Sequence, residues 1–361
     1  MKSLIFAFPG DLSTPTGGYI YDRRIFAGLE RLGWHVQYLS LGEGFPFPEP
    51  DTVARARQSL LDLKPGIPIV MDGLALGVLP EIVAELAPRH PVIALIHHPL
   101  AFESGLSSAR VSTLKASETR ALSFAAQVIV TSPATARDLA QSFDVPSELI
   151  QVVLPGTAPA RLIRERSQTT APQQSTLRLL SVGSIVPRKG FDVLLAALYP
   201  LSELDWTLTI AGDATRDALA PAQLLGDIAR FGFEDRVHVL GAVDDDRLET
   251  LYQEADAFVL ASRFEGYGMA FAEALARGLP VIGTTGGAIP DTVPSTAGLL
   301  VEPDNVERLT DALRRLMQDA ELRCRLSIGA REAALRQPTW QDSTNLFAAA
   351  LSRFIHLNSA K

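Results

Sequence analysis

Short apolar runs alternate with segments of helical periodicity through most of the chain. Twelve of the runs predict buried strands, at residues 3–8, 36–41, 67–71, 92–96, 127–130, 150–154, 178–182, 207–211, 237–240, 257–260, 281–282 and 298–301. Helical patterns lie between them, as at residues 21–32, 55–63 and 111–125. Because strands that alternate with helices over short connections pair in parallel, the pattern predicts an α/β fold with doubly wound parallel sheets.

The two series of six runs predict two Rossmann-like domains. A polar stretch at residues 161–176, rich in Gln, Thr and Ser, separates the series and is the predicted linker. It divides an N-terminal domain at 1–160 from a C-terminal domain at 177–335, and a chain of 361 residues is long enough for both. A last helical pattern lies within residues 336–361. Open parallel sheets bind ligands beyond the carboxyl ends of their strands, so the domains are expected to face each other across a cleft.

Composition and charge narrow the classes of function. The chain is 47% hydrophobic and 20% charged, as is typical of a globular protein, and its net charge of −8 argues against nonspecific binding to nucleic acid. A single cysteine, Cys324, excludes an internal disulfide and a cysteine-based metal site, and it fits a reducing compartment. No apolar run approaches the length of a membrane span, and the run at residues 4–8 is too short for the core of a signal peptide. A cytoplasmic location is therefore expected.

Glu265 and Glu273 lie where a glycine-containing loop becomes a helix, after the predicted strand at 257–260. Such a junction exposes backbone N–H groups and the positive end of the helix dipole, which suits a phosphate. Ionised carboxylates accept hydrogen bonds from hydroxyls, so the pair suits the diols of a ribose and of a sugar ring. The segment therefore predicts a site for a nucleotide sugar. The structural alternative is that Glu265 caps the helix and Glu273 is a solvated residue on it.

The nineteen residues that begin at Glu265 resemble the signature of retaining, nucleotide-sugar-dependent glycosyltransferases of family 4, which have the GT-B fold. The resemblance is strong over residues 178–302 and looser over residues 1–157. It implies that the first glutamate contacts the transferred sugar, that backbone amides after it contact the sugar and the diphosphate, and that the second glutamate holds the ribose hydroxyls. By position these residues are Glu265, Tyr267, Gly268, Met269 and Glu273. It also implies that the C-terminal helix returns to the N-terminal domain.

A cationic loop carrying Arg188 and Lys189 follows the predicted strand at 178–182. A diphosphate leaving group gains negative charge as the glycosidic bond breaks, and fixed cations stabilise that charge without a metal. In the family the matching loop supplies an Arg and a Lys. Lys189 falls on the Lys, whereas Ser184 stands where many members have the Arg, so we interpret Arg188 as its substitute. An Arg-Lys pair on a loop is otherwise usually solvated.

Two features of the N-terminal domain lie at predicted strand ends. Gly17 and Gly18 follow the first strand, and paired glycines either admit a phosphate or sugar close to the backbone or form only a turn. The resemblance places them near the donor diphosphate. His97 and His98 end the strand at 92–96, where adjacent side chains point to opposite sides. The resemblance aligns His97 with the family's strand-end histidine, which implies contact with the donor sugar or a position near the reacting centre; His98 remains the alternative. No set of metal ligands is evident at suitable spacing.

Together with the resemblance, these residues predict a retaining hexosyltransferase that moves a sugar from a nucleotide-diphosphate sugar to an acceptor hydroxyl, with no metal or other cofactor. The acceptor is left open among a glycan, a lipid-linked and a small molecule, and polysaccharide biosynthesis is common in the family. Variable loops at 11–16, 45–50 and 102–110 are where the acceptor is expected. The apolar residues 45–48 suit either a peripheral contact with the inner face of the membrane or packing. The alternatives are a noncatalytic subunit that binds nucleotide sugar or glycan, and a GT-B epimerase.

Overall fold

A computed structural model describes residues 2–158 and 176–355, and these residues form two compact units. One unit consists of residues 2–156 and 338–355, and the other of residues 157–158 and 176–337. Of the predicted linker, only Thr176 is among the described residues. The domain boundaries drawn from the sequence therefore remain predictions.

The first unit contains a parallel sheet of six strands. The strands are β1 Lys2–Phe8, β2 Trp34–Ser40, β3 Ile69–Asp72, β4 Val92–Ile96, β5 Gln127–Val130 and β6 Ile150–Val152. They lie in the order β2-β1-β3-β4-β5-β6, so the chain reverses its direction of travel across the sheet between β1 and β3. The helices that connect them are α1 Gly17–Arg31, α2 Pro50–Leu61, α3 Gly73–Leu76, α4 Pro80–Leu86, α5 Ser108–Leu122 and α6 Pro133–Ser142.

The second unit repeats this plan. Its strands are β7 Leu177–Val182, β8 Trp206–Ala211, β9 Val237–Gly241, β10 Ala257–Val259, β11 Val281–Thr284 and β12 Gly298–Val301. They lie in the order β12-β11-β10-β7-β8-β9, and the direction reverses between β7 and β10. The helices are α7 Phe191–Leu198, α8 Ala220–Phe231, α9 Asp245–Glu254, α10 Met269–Ala276, α11 Ile289–Thr292, α12 Val306–Gln318 and α13 Ala320–Ala334. The last helix, α14 Trp340–Ile355, belongs to the first unit.

Two parallel sheets covered by helices confirm the predicted doubly wound α/β fold, and each of the twelve predicted runs coincides with a strand. Ligands of such sheets bind at the carboxyl edge where the strand order reverses. In the first unit that edge carries the loops after β1, β3 and β4. In the second it carries the loops after β7 and β10.

The inner strands β3, β4 and β5 of the first unit bury both of their faces. Along β4, Val92, Ala94 and Ile96 join one apolar cluster, whereas Ile93 and Leu95 join another on the opposite face. This alternation follows from the two-residue period of a strand, and both faces are apolar because helices cover each side. The second cluster is completed by side chains of α14, which packs on α1.

No helix within residues 2–158 and 176–355 combines the length and the apolar character that crossing a bilayer requires.

Candidate functional site

The predicted cations and the first predicted glutamate come together at the carboxyl edge of the second sheet. Lys189 Nζ donates to Glu265 Oε1 at 2.6 Å, and Arg188 Nη1 lies 3.3 Å from Oε2 of the same carboxylate. Ser262 Oγ donates to Oε1 at 2.6 Å. Because β7 and β10 are neighbours, the loops that follow them meet although 76 residues separate Lys189 from Glu265. The cluster therefore lies at the point where the strand order reverses.

The charge of this cluster favours the ionised carboxylate. Burial alone would raise the pKa of Glu265, but the charges of Lys189 and Arg188 outweigh it and lower that pKa to about 2. Hydrogen bonds from Lys189 and Ser262 act in the same direction. At neutral pH the three charged groups carry a net charge of +1, which suits an anionic ligand.

Two glycines bring the loops of the cluster close enough to make these contacts. A Cβ atom at Gly190 would lie 2.0 Å from the carbonyl oxygen of Ala261, and one at Gly287 would lie 2.3 Å from the carbonyl oxygen of Glu265. Both glycines have positive φ, 65° and 62°. Ala288 N donates to the Glu265 carbonyl at 2.8 Å. The backbone of Glu265 is thus fixed from the neighbouring loop, which only a glycine allows to approach so closely.

The loop after Glu265 ends at Gly268, the N-cap of α10, which has a φ of 87°. Among the described residues no side chain caps this helix, so the backbone amides of Met269 and Ala270 at its start remain available to an anion. The Thr292 hydroxyl donates to the Tyr267 carbonyl at 2.6 Å and anchors the loop. Glu265 therefore does not cap α10, and the structural alternative weighed from the sequence is wrong on this point.

Glu273 is held in a second network, one turn into α10. Its Oε2 accepts a hydrogen bond of 2.9 Å from the buried hydroxyl of Tyr252. The Arg277 guanidinium lies 4.6 Å from the centre of the Tyr252 ring and pairs with Glu249 at 2.5 Å. Burial raises the pKa of Glu273, and the charge of Arg277 and the Tyr252 hydrogen bond partly offset this effect. Glu273 is thus a half-buried, oriented carboxylate and not a solvated one.

In the first unit, the two predicted glycines open α1 directly beside His97. Thr16 caps the helix by accepting from Tyr19 N, and Gly17 and Gly18 follow it. A Cβ atom at Gly18 would lie 3.1 Å from Cδ2 of the His97 ring. The loop after β1 and the end of β4 therefore meet at one edge of the sheet, as the strand order requires.

His97 faces two buried carboxylates that the sequence analysis did not identify. Its Nε2 lies 3.1 Å from Asp22 Oδ1 in α1 and 3.9 Å from Asp72 Oδ2 at the end of β3. Burial raises the pKa of Asp72 to about 7, and the charge of Asp22 adds to this effect. Burial lowers the pKa of His97, but the two carboxylates outweigh it and raise that pKa above its ordinary value. One atom from each group lies within 4.8 Å of the others, so a shared proton or a single cation would fit between them.

His98 points elsewhere, as expected for neighbouring side chains on an extended backbone. Its Nε2 lies 3.2 Å from Glu103 Oε2 in the loop that follows. The same loop is fixed by Glu118 of α5, whose carboxylate accepts from Leu100 N at 2.7 Å and from Ala101 N at 3.0 Å. Glu118 is therefore a structural carboxylate beneath one of the predicted acceptor loops.

Residues 163–333 match the family model described as glycosyl transferases group 1. An MMP α-(1→4)-mannosyltransferase of Mycolicibacterium hassiacum is 27% identical over 82% of this chain and 73% of its own length. A D-inositol 3-phosphate glycosyltransferase of Xylanimonas cellulosilytica is 32% identical over 60% of this chain. The chain spans 55% of the length of that relative.

Solved structures show the same fold at low sequence identity. Sucrose-phosphate synthase of Thermosynechococcus elongatus is 21% identical, with a TM-score of 0.80 over 99% of this chain and all of that one. Anabaena Alr3699/HepE, solved in complex with UDP-glucose, is 20% identical, with a TM-score of 0.75 over 97% of this chain and all of that one. The predicted GT-B fold is thereby confirmed.

Proposed function

We propose that the chain is a member of the glycosyl transferases group 1, whose family model matches residues 163–333, and that it transfers a sugar from a nucleotide-diphosphate sugar to an acceptor hydroxyl with retention at the anomeric carbon. The observation that carries the proposal is the cluster of Arg188, Lys189 and Glu265 beside the N-terminus of α10. Two fixed cations and free helix amides provide the positive potential that a departing diphosphate needs.

Each charged group has a role in this proposal. Arg188, Lys189 and the first amides of α10 take the diphosphate, and Glu265 accepts hydrogen bonds from hydroxyls of the transferred sugar. During transfer the bond from the anomeric carbon to the phosphate oxygen breaks, and its electron pair leaves with the diphosphate. The acceptor hydroxyl oxygen forms the new bond to the anomeric carbon, and its proton passes to the departing phosphate oxygen. Stabilisation of that charge by two cations makes a metal unnecessary, so we propose transfer without one.

Glu265 is assigned to binding and positioning and not to a covalent step. Its carboxylate is ionised and accepts from Lys189, Arg188 and Ser262, so its lone pairs are largely engaged by donors. A nucleophilic carboxylate in a retaining hydrolase instead stands opposite a second, acidic carboxyl group. The environment of Glu265 favours direct displacement on the side of the leaving group.

Glu273 is proposed to bind the ribose of the donor. Its Oε2 is held by Tyr252, which fixes the side chain and leaves Oε1 for a hydroxyl pair. Glu273 is half-buried and lies one turn into α10, about 6 Å along the helix axis from the start of that helix, where the diphosphate is proposed to bind.

The acceptor is proposed to bind the first unit, where two predicted acceptor loops meet. The guanidinium of Arg110 lies 5.0 Å from the ring centre of Phe47, which is 51% exposed. An exposed aromatic ring beside a cation suits a sugar ring or an anionic lipid headgroup. We propose a cytoplasmic protein acting on a glycan, lipid-linked or small-molecule acceptor, and an exposed free thiol at Cys324 fits that compartment.

A donor panel tests the proposal. The purified protein is incubated with nucleotide sugars of different bases and sugars, and release of the nucleoside diphosphate is measured with and without a chelator. We expect turnover of one donor, insensitivity to the chelator, and a loss of about 100-fold in Lys189→Ala and in Glu265→Ala. The matched control is Arg314→Ala, which removes an exposed cation whose one ion pair within the described part of the chain is with Asp311 on α12.

The outcomes separate the alternatives. Retention is read from the anomeric configuration of the product by NMR. Binding of a donor without turnover, with a range of acceptors present, would favour a noncatalytic subunit. Conversion of the donor sugar to its epimer would favour an epimerase. Equal activity in Lys189→Ala and the Arg314→Ala control would refute the assigned site.

A further inference from the structure

The His97 ring is held on several sides by groups of the first unit. Gly18 lies against its Cδ2 edge, and the Tyr21 ring stands edge-on to it with centres 5.4 Å apart. Its Nε2 lies 3.1 Å from Oδ1 of Asp22, a residue that is completely buried. These contacts leave the imidazole one orientation, with Nε2 inward.

The hydrogen bond to Asp22 decides which ring nitrogen carries the proton. A carboxylate oxygen only accepts, so Nε2 must be the donor in the neutral ring and Nδ1 the acceptor. Nδ1 has no hydrogen-bond partner among the described residues, and it is not among the buried unpaired atoms. The side chain is 20% exposed. Nδ1 is therefore the polar ring atom that a ligand can reach.

Asp72 completes the arrangement. Its Oδ1 accepts from Leu74 N at 2.7 Å, which fixes the carboxyl group at the start of α3. Asp22 Oδ2 is buried and has no donor among the described residues, and an oxygen of the Asp72 carboxyl group lies within 4.8 Å of an oxygen of Asp22. Two adjacent buried carboxylates repel each other when both are ionised. A proton on Asp72 removes the repulsion and gives Asp22 Oδ2 its missing donor.

We propose that Asp22 and Asp72 are positioning residues for His97, which hold its Nε2–H toward the interior so that Nδ1 is the ring atom that meets the sugar ligand. Asp22 acts directly as the acceptor of Nε2–H, and Asp72 acts through Asp22. The inference rests on the proposed function for the nature of the ligand. The orientation and the tautomer of the His97 ring are inferred from its contacts and do not depend on the proposed function.

The tautomer is measured first, in the free full-length protein. Long-range ¹H–¹⁵N spectra distinguish a protonated from an unprotonated ring nitrogen, and His97→Gln assigns the signals among the six histidines. We expect Nε2 protonated and Nδ1 unprotonated in the neutral ring. In Asp22→Asn the side-chain amide can donate to Nε2, and the proton is expected to move to Nδ1. Glu103→Gln is the matched control, since it faces His98.

Two substitutions test Asp72. Asp72→Asn keeps a hydrogen-bond donor toward Asp22 and an acceptor toward Leu74 N, so we expect the wild-type tautomer. Asp72→Leu has the same branching in a larger, apolar side chain that makes no hydrogen bonds, so we expect a mixture of tautomers. Thermal melting shows whether each variant is folded, and the wild-type spectrum decides the orientation even if a variant does not fold.

Kinetics with the donor found in the panel separate positioning from a general loss of structure. We expect Asp22→Asn to lower kcat by about tenfold to a hundredfold with KM for the donor within about threefold, and Asp72→Asn to lower kcat less than Asp72→Leu does. If the wild type transfers no sugar, the proposed function fails while the spectra still test the ring. A wild-type proton on Nδ1, or a tautomer unchanged in Asp22→Asn, would overturn the proposal. Selective broadening of His97 signals by stoichiometric MnCl2 would overturn it too, because a cation would then hold the cluster.

Discussion

Replacing Glu265 by glutamine is expected to have opposite effects on stability and on nucleotide binding. The substitution keeps the shape of the side chain but leaves Lys189 and Arg188, which are 13% and 18% exposed, without their carboxylate. A pKa lowered from 4.5 to about 2 corresponds to a stabilisation of about 3 kcal/mol at neutral pH. Removing one partner of a buried ion pair typically lowers the free energy of unfolding by about 3–5 kcal/mol, a range that includes this value.

The sign of the pH dependence follows from the lowered pKa. The ionised carboxylate contributes its full stabilisation above pH 4.5, and the contribution is lost as the pH falls toward 2. The difference in unfolding free energy between wild type and Glu265→Gln should therefore be about 3 kcal/mol at pH 7 and shrink as the pH falls below 4.5.

Urea unfolding measures this difference in the second unit alone if one tryptophan reports on it. Trp206 is 1% exposed in that unit, so both proteins are compared in a background with Trp34→Phe and Trp340→Phe. The control Ser262→Ala removes one hydrogen bond to Glu265 but no charge, and we expect a loss of about 1 kcal/mol.

The nucleoside diphosphate released in the panel assay provides the second measurement. If its phosphates take the place of the carboxylate between the cations, Glu265→Gln should bind it as tightly as the wild type or more tightly, while Lys189→Ala binds it about tenfold or more weakly. Saturating nucleotide should then restore part of the stability lost in Glu265→Gln. The reasoning is refuted if Glu265→Gln loses as much affinity as Lys189→Ala, or no more stability than Ser262→Ala.

Three further substitutions test other parts of the structure. Gly287→Ala would place Cβ 2.3 Å from the Glu265 carbonyl, so we expect about tenfold or greater loss of transfer and a lower melting temperature, whereas Gly226→Ala, which meets no atom within 4 Å, should be neutral or stabilising. Burial raises the pKa of Glu118 to about 7 from 4.5, so the Glu118 contribution to stability should fall by about 3 kcal/mol as the pH rises between these values, and in urea titrations the wild type should lose about that much more stability than Glu118→Gln. Phe347→Ala removes a fully buried ring and should cost the first unit about 3–5 kcal/mol, read from Trp34 fluorescence during urea unfolding.

The sequence predicted the strands well because a parallel sheet covered on both faces imposes continuous apolar runs. The starts of helices were predicted less well. The periodic pattern placed the first helix at residue 21, whereas α1 begins at Gly17, after the cap at Thr16. The second was placed at residue 55, but α2 begins at Pro50, a residue favoured in the first turn. Helix ends depend on capping, which hydrophobic periodicity does not report.

The second unit's site was largely predictable, because Glu265 and Lys189 each follow a strand and topology brings the strand ends together. The pairing of the two was not, since the sequence does not give the distance between loops. Asp22 and Asp72 were missed because one lies inside α1 and the other beside an apolar strand. Asp72 nevertheless ends β3, and His97 directly follows β4, the neighbouring strand. Their common place at the carboxyl edge of the sheet was a signal that could have identified Asp72.

The return of α14 to the first unit has a consequence for the order of folding during synthesis. Phe347 and Leu351 of α14 complete the apolar cluster that contains Phe6 and Phe26. Residues more than 300 positions apart in the sequence therefore share one core. The second unit can form its sheet as soon as residue 337 has left the ribosome, whereas the first must wait with one apolar face only partly covered, by α1. Contacts of such sequence separation form slowly, and a nascent chain that stops short of α14 exposes a surface that chaperones would recognise.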